Sequence, residues 1–151
     1  KVDKSGRSNA LYLKERNNVL LNDLKYLETL TNKSKKDNRI CFHKDKKSKL
    51  HIMINCLTKK KIKIPEMHIN KDEFYYILKG KLELIIYSAK KKIKKKIILG
   101  PKNRFFYLKN KTIHTTVSIT KTCTFLECRT GPFKRKDTIQ YWHNNESIKK
   151  Y

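Results

Sequence analysis

The chain has 151 residues, of which 38% are hydrophobic, and 38 Lys and Arg against 13 Asp and Glu give a net charge of +25 at pH 7. This length predicts a single domain, and no run of about 20 apolar residues indicates a membrane span. A strong positive charge attracts anions without specificity. The excess is mostly lysine, and the aromatic residues are not interleaved with arginine as a nucleic-acid stacking surface requires. We therefore predict no specific nucleic-acid partner.

The first predicted element is a helix over about residues 17–30, followed by a polar, lysine-rich loop over 31–38. An apolar stripe with spacings of four and three residues indicates the helix, and it consists of Leu20, Leu24, Leu27 and Leu30. This stripe predicts that the helix packs on the outside of a β-fold or across a dimer.

Beyond residue 50, short apolar runs alternate with turn signals, which indicates a mainly β sandwich or barrel. The runs fall at 52–57, 62–68, 74–78, 82–87, 97–99, 105–108, 112–119 and 122–129. Gly80 and Lys81 predict a tight turn, and the lysine-rich segment 88–96 predicts a solvated hairpin tip.

Four cysteines, none of them in a Cys-x-x-Cys pair, argue against a zinc ribbon or a thioredoxin-like site. They predict buried free thiols in a cytoplasmic protein, and no signal-peptide pattern is visible. These residues are Cys41, Cys56, Cys123 and Cys128.

The stretch 62–80 carries the residues with most chemical interest. Ile62, Ile64, Glu66 and His68 alternate, so a strand would project them from one face. Glu73 follows at the start of the next apolar run, which predicts a hairpin with carboxylates on both strands. Burying these groups is costly unless they are paired, and a bound cation is one suitable partner.

This stretch resembles the first cupin motif, in which two His residues two apart precede a Glu and then a Gly. His68, Glu73 and Gly80 match the motif, and Glu66 stands where the first His is usual. The second cupin motif supplies a further His from a later strand, and His114 fits that position, although Asn110 and Lys111 replace the usual Pro and Gly.

The resemblance extends to the WbuC-type cupin fold metalloproteins over roughly residues 39–143. The matching segments are Cys41-Phe42-His43, Ile54-Asn55-Cys56-Leu57, Pro65-Glu66-Met67-His68, Glu73 to Gly80, Gly131-Pro132-Phe133 and Tyr141-Trp142. The resemblance implies a cupin-type β-barrel, that is, a double-stranded β-helix or jelly roll, with an N-terminal α-helix. The expected division is an N-terminal segment 1–38, a barrel domain 39–143 and a tail 144–151.

The metal site implied by the resemblance consists of Glu66, His68, Glu73 and His114. Two imidazoles and two carboxylates suit a divalent transition metal, which we expect to be Fe, Mn, Zn or Ni. Four protein ligands would leave a position open for a substrate or water. In the alternative, Glu66 pairs with a lysine in a metal-free cupin and His114 is a core histidine held by a hydroxyl of Thr112 or Thr116.

Three further residues are predicted to line the pocket. His43 belongs to a family segment, Tyr75 shares its strand parity with Glu73, and Arg129 shares parity with Glu127 and Phe125. Arg129 is a candidate contact for an anionic ligand, and His51 is a weaker candidate for the pocket than His43.

The resemblance also implies a role in bacterial surface polysaccharide (O-antigen) biosynthesis, on a sugar or sugar nucleotide. The sequence leaves open an enzyme, an Fe(II)-dependent oxygenase, and a non-catalytic binding module without metal. Glu66 would be a candidate general base if it does not bind metal. Small cupins commonly dimerise through edge strands, and the N-terminal segment offers extra surface, so the resemblance also implies a homodimer.

Overall fold

The computed structural model describes residues 2–3, 8–13, 18–59 and 63–141. Within these residues the chain forms twelve strands, one α-helix and one short 3-10 helix. The strands are β1 Val2–Asp3, β2 Asn9–Tyr12, β3 Asn38–Cys41, β4 Leu50–Thr58, β5 Glu66–His68, β6 Glu73–Lys79, β7 Leu82–Tyr87, β8 Ile93–Leu99, β9 Phe105–Leu108, β10 Ile113–Ser118, β11 Thr122–Thr130 and β12 Thr138–Gln140. The α-helix is α1 Leu21–Ser34, and the 3-10 helix spans Arg135–Asp137.

The strands form two sheets. The seven-stranded sheet has the order β1-β2-β3-β4-β11-β6-β9, and the five-stranded sheet has the order β12-β5-β10-β7-β8. The named strands pair antiparallel, except that β2 runs parallel to β3. The two sheets enclose the core, so the chain is a mainly β jelly roll with one helix, as predicted.

The main core lies between the sheets and draws apolar side chains from both. Alternate residues of each strand point inward because strand side chains alternate between faces. The buried members are Leu57, Tyr75, Ile77, Leu82, Leu84, Leu99, Leu108, Cys123 and Phe125. This filling leaves one end of the space between the sheets to polar side chains.

Helix α1 packs on the outer face of the seven-stranded sheet. Leu27 is fully buried there against Ile40, Ile54 and Cys56, and Leu24 packs against the same cluster. The helix is therefore on the outside of the β-fold, one of the two positions expected from the leucine stripe.

The bounds of α1 differ from the predicted 17–30. The helix begins after Leu20, whose backbone N–H donates to the Asp23 carboxylate at 2.8 Å, because this bond satisfies a free donor at the helix start. It continues to Ser34, so the predicted loop 31–38 is wrong over its first four residues. Thr31 is fully buried and donates to the Leu27 carbonyl at 2.8 Å, which fits it to the helix interior.

The hairpin predicted over 62–80 is also wrong. Strand β5 belongs to the five-stranded sheet and β6 to the seven-stranded sheet. The end of β5 is bound to its own sheet, because the Lys111 N–H donates to the His68 carbonyl at 2.7 Å and the Ile69 N–H donates to the Asp137 carbonyl at 2.9 Å. The chain then crosses from one sheet to the other. Strand β6 therefore does not pair with β5, and Glu73 faces β5 across the space between the sheets.

The lysine-rich segment 88–96 is only partly a hairpin tip. The turn closes early, with the Ser88 N–H donating to the Lys92 carbonyl at 2.8 Å, and Lys94 to Lys96 lie in β8. Pairing with β7 extends the strand while the lysine side chains remain exposed at the edge of the sheet.

Gly80 connects the two sheets between β6 and β7. Its φ of +84° lies in the left-handed region, and a Cβ at this position would lie 2.5 Å from the Thr122 carbonyl oxygen. Glycine is therefore required both by the backbone conformation and by the close approach of β11.

All four cysteines are free thiols, and Cys128 is half-buried whereas the other three are buried. No helix within the described ranges is long and apolar enough to cross a membrane. The predicted helix start at residue 17, parts of the N-terminal segment, Ile62, Trp142 and the tail 144–151 lie outside the described residues.

Candidate metal centre

A cavity of about 610 Å³ opens between the two sheets. All seven residues singled out from the sequence line it, although they come from four strands and one loop. They are His43, Glu66, His68, Glu73, Tyr75, His114 and Arg129.

The five-stranded sheet supplies three potential ligands. Strand β5 runs antiparallel to β10, and Glu66 is directly opposite His114. Opposite residues of an antiparallel pair share a face, and His68 follows Glu66 on that face two residues later. One ligand atom from each of these three side chains lies within 4.8 Å of the others.

Glu73 approaches this cluster from the seven-stranded sheet. Its Oε1 is 3.1 Å from His68 Nε2, and its Oε2 is 3.2 Å from His114 Nε2. All three side chains are almost completely buried. The crossover between β5 and β6 therefore places a carboxylate against both imidazoles.

Two more side chains hold Glu73. The Tyr75 hydroxyl donates to Oε2 at 2.7 Å, and Arg129 Nη1 donates to Oε1 at 3.4 Å. Burial alone would raise the pKa of Glu73, but its contacts with His114 and His68 outweigh this effect and hold the pKa well below its usual value. Glu73 is thus a buried, ionised carboxylate. The same carboxylate, together with burial, raises the pKa of Tyr75.

The outer ring nitrogens orient both imidazoles. His114 Nδ1 lies 3.0 Å from the Thr112 carbonyl, which only accepts, so this nitrogen carries a proton. His68 Nδ1 lies 3.0 Å from the Thr138 hydroxyl. Metal-binding histidines characteristically use their other nitrogen in this way. The alternative of a hydroxyl of Thr112 or Thr116 holding His114 is not what the structure shows, because the Thr112 carbonyl does so.

The inner nitrogens are suited to bind a cation. His68 Nε2 is buried without a hydrogen-bond partner among the described residues, because its approach to Glu73 lacks hydrogen-bond geometry. In its neutral form, with the proton on Nδ1, His114 would direct the lone pair of Nε2 into the cluster. Burial disfavours the charged form of His114, but Glu73 outweighs burial and raises the pKa of His114.

The donor set fits a divalent transition metal. Nitrogen and oxygen ligands bind such ions at about 2.0–2.2 Å, and the three gathered side chains offer two nitrogens and one oxygen. Glu73 touches both imidazoles but is also committed to Tyr75 and Arg129. Glu66, His68 and His114 would therefore hold the ion, with Glu73 as a fourth ligand or as a neighbouring negative charge.

A second histidine pair lies in the same cavity. The rings of His43 and His51 stack with centroids 4.1 Å apart and planes at 9°. His51 is buried, and burial followed by the positive environment of His43 and Arg129 lowers its pKa to about 4. The sequence ranked His51 below His43, because only His43 belongs to a segment that matches the family.

Several other cavity residues carried no signal in the sequence. Arg39 on β3 and Lys63 before β5 line the cavity, yet neither belongs to a recognised motif position. Asn55 was noted only as part of a segment, and its side chain donates to Glu127 Oε2 at 2.8 Å. Only the pairing of strands distant in sequence brings these side chains together.

Comparisons with solved structures agree with this architecture. CapF from Staphylococcus aureus, described as a capsular polysaccharide assembling protein, matches with a TM-score of 0.57 and 13% identity over 68% of this chain and 31% of CapF. KdgF from Halomonas sp. matches with a TM-score of 0.52 and 16% identity over 66% of this chain and 82% of KdgF. Oxalate decarboxylase from Bacillus subtilis matches with a TM-score of 0.51 and 19% identity over 61% of this chain and 24% of the decarboxylase.

These structures are cupin folds, and this chain shares that fold, with Glu66, His68 and His114 gathered between its two sheets. The identities are low enough that the likeness shows the fold alone, and the chain spans only about a third of the length of CapF. The chain belongs to the family described as domain of unknown function DUF6016, whose model matches residues 22–99. No curated protein sequence matches it.

Proposed function

We propose that this protein is a metal-binding cupin that binds or acts on a sugar or sugar nucleotide during assembly of bacterial surface polysaccharide. The observation that carries the proposal is the gathering of Glu66, His68 and His114 within 4.8 Å, in a cavity of about 610 Å³. A pocket of this size with a few convergent polar groups is typical of a small-molecule site.

Two similarities support a sugar or sugar nucleotide as the ligand. The motifs resemble those of WbuC-type cupins, and the fold is similar to that of CapF, a capsular polysaccharide assembling protein. The cavity wall also carries hydroxyl and amide groups suited to a polyhydroxylated ligand, from Asn55, Thr115, Thr116, Thr138 and Gln140.

The chain's own residues prepare the site. Thr112 and Thr138 orient the two imidazoles, while Tyr75 and Arg129 hold Glu73 against them. These contacts reduce the reorganisation needed when a ligand enters. A bound divalent ion, which we expect to be Fe, Mn, Zn or Ni, would act as a Lewis acid toward a carbonyl or hydroxyl of the ligand.

Two specific observations favour alternative functions. Two histidines and one carboxylate are the ligand set typical of Fe(II)-dependent oxygenases. Conversely, Glu73 lies close to both imidazoles, so the cluster also fits a metal-free binding module in which a protonated histidine pairs with Glu73.

Elemental analysis of protein grown with iron, manganese, nickel and zinc, and purified without a His-tag, tests the proposal. We expect near-stoichiometric metal in the unmutated protein and in a His43→Ala control, whose imidazole lies in the cavity outside the cluster. The variants His114→Ala and Glu66→Ala should lose the bound metal. Absence of metal from the unmutated protein would favour the binding module. Oxygen consumption that requires Fe(II) would favour the oxygenase.

We also propose a cytoplasmic homodimer. Free thiols are typical of a reducing compartment. Phe105 and Tyr107 on the edge strand β9 are 61% and 54% exposed, and Phe105 stacks on Tyr76. Light scattering should give twice the monomer mass, and Phe105→Ser should lower it. A monomer in the unmutated protein would refute the dimer.

A further inference from the structure

Two arginines in the cavity have donors that no other described residue satisfies. The Nε atoms of Arg39 and Arg129 are buried without a hydrogen-bond partner among the described residues, and both side chains line the cavity. Buried polar groups are nearly always paired, and a guanidinium is always charged. Unpaired guanidinium donors beside an open cavity indicate a partner that comes from outside the chain.

The two arginines face the candidate metal cluster from the opposite sheet. Arg39 lies on β3 and Arg129 on β11, both in the seven-stranded sheet, whereas Glu66, His68 and His114 lie in the five-stranded sheet. Arg129 also reaches the cluster, because its Nη1 is 3.4 Å from Glu73 Oε1. A single small molecule in the cavity would therefore meet the cluster on one side and the arginines on the other.

The carboxylates near Arg129 leave its charge incompletely satisfied. Nη1 is shared between Glu73 Oε1 and Glu127 Oε1, at 3.4 Å from each, which is long for a charge-assisted hydrogen bond. Glu127 also accepts from Asn55 at 2.8 Å. The Nε of Arg129 makes no hydrogen bond to either carboxylate.

The charge of the cavity wall favours an anion. Within the part of the chain that the structure describes, five cationic side chains line it against three carboxylates, and a divalent ion would add further positive charge. Lys63 Nζ also lies 3.2 Å from the carboxylate of Asp37, a residue that does not line the cavity. The cations are Arg39, Lys46, Lys63, Arg129 and Arg135, and the carboxylates are Glu66, Glu73 and Glu127.

We propose that Arg39 and Arg129 form an oxyanion subsite that binds a carboxylate or phosphate of the ligand. Guanidinium groups match the geometry of both anions. The ligand class would then be a sugar acid or a sugar phosphate, with an uncharged hydroxyl or carbonyl toward Glu66, His68 and His114. That the ligand is a sugar rests on the proposed function, whereas oxyanion binding by the arginines does not require a metal.

Calorimetric titration of the whole chain at about 150 mM NaCl, near physiological ionic strength, tests the subsite with three probes. Glucuronate and glucose 1-phosphate carry the two anions, and glucose is the neutral counterpart. We expect at least one of the two anions to bind more tightly than glucose by about tenfold or more, because a hydrogen bond between charged groups contributes more than one between neutral groups. Tenfold corresponds to about 1.4 kcal/mol of binding free energy. The anion that binds more tightly shows whether the subsite prefers a carboxylate or a phosphate.

Variants assign the effect to the arginines. Arg39→Gln should weaken anion binding about tenfold without changing glucose binding, and Arg129→Gln should also weaken anion binding about tenfold. Arg39→Lys should be intermediate because it keeps the charge but loses the planar guanidinium group that binds an oxyanion through two hydrogen bonds. Lys95→Gln removes the same charge from exposed β8 and should change affinity less than about twofold. Circular dichroism of each variant verifies its fold.

The outcomes separate this inference from the proposed function. Anion binding that depends on Arg39 in a protein without metal would retain the subsite and refute the metal site. Stoichiometric metal without a preference for either anion over glucose would refute the subsite alone. Unchanged anion affinity in folded Arg39→Gln and Arg129→Gln would also overturn it, as would a failure of both anions to bind.

Discussion

The sharpest test of the site is the substitution Glu73→Gln, which removes one charge while nearly preserving shape. Glu73 is 3% exposed, accepts from Tyr75 at 2.7 Å and lies 3.1 and 3.2 Å from the imidazoles of His68 and His114. Because its pKa lies well below 4.5, the carboxylate is ionised at neutral pH. The substitution therefore removes a buried negative charge that its neighbours stabilise.

The expected cost follows from these contacts. Breaking a buried charge pair costs about 3–5 kcal/mol, but the amide of Gln still accepts from Tyr75 and can donate to one neutral imidazole. We therefore expect the free energy of unfolding to fall by about 3 kcal/mol, near the lower end of that range. For a domain of this size, this corresponds to a decrease in Tm of about 6–12 °C.

The assay is urea and thermal unfolding at neutral pH in the presence of a chelator. The matched control is Glu83→Gln on β7, which removes the same charge from a half-buried position between the inward-facing Leu82 and Leu84, outside the cavity lining. Because Glu83 lies on the outer face of the sheet, this control should change the free energy of unfolding by less than about 1 kcal/mol. If Glu73→Gln is as stable as the control, Glu73 is not a stabilised buried charge, and the account of the cluster is wrong.

Three further predictions concern the surroundings of the site and the core. The pKa of His51 is about 4 in the folded chain, against 6.5 for an unperturbed His. As the pH falls from 6.5 toward 4, the unfolded chain therefore takes up this proton before the folded chain does, and the free energy of unfolding decreases. In paired urea titrations, His51→Gln should reduce the loss of unfolding free energy between about pH 7.5 and 5 by about 2 kcal/mol, and an unchanged pH slope would contradict this. A Cβ on Gly131 would clash with the Ser48 carbonyl, whereas one on Gly100 would press only on the flexible Lys81 side chain and meet the Gly80 carbonyl oxygen at an ordinary contact distance of 3.6 Å. Gly131→Ala should therefore cost about 2 kcal/mol or more and Gly100→Ala less than about 1 kcal/mol, and equal Tm values for the two variants would refute the difference. Burial raises the pKa of Cys123 to about 12, so native Cys123 should resist alkylation at about pH 8 and react only after unfolding, as mass spectrometry of labelled peptides would show.

The sequence by itself determined features that depend on local periodicity. Alternation along a strand is a property of neighbouring residues, so the shared faces of Glu73 with Tyr75 and of Phe125 with Arg129 were predicted from spacing alone. The cupin resemblance added His114 from a distant strand and the jelly-roll fold. The leucine stripe likewise predicted the existence of the helix, with an outer position as one of two alternatives.

Local patterns were insufficient where capping or burial decided the outcome. The helix begins and ends about four residues later than predicted, because Asp23 satisfies the backbone at Leu20 and buried Thr31 extends the last turns. The spacing of leucines indicates which face is apolar, but it does not locate the termini.

Only the tertiary structure decided which sheet each strand joins. The short segment between His68 and Glu73 suggested a hairpin, yet the chain crosses from one sheet to the other there and directs Glu73 toward both imidazoles. The same long-range pairing brings Arg39 to the cavity wall, a position without any local signal. Strand pairing depends on burial summed over the whole chain, so the composition of the site is decided by contacts between residues far apart in sequence.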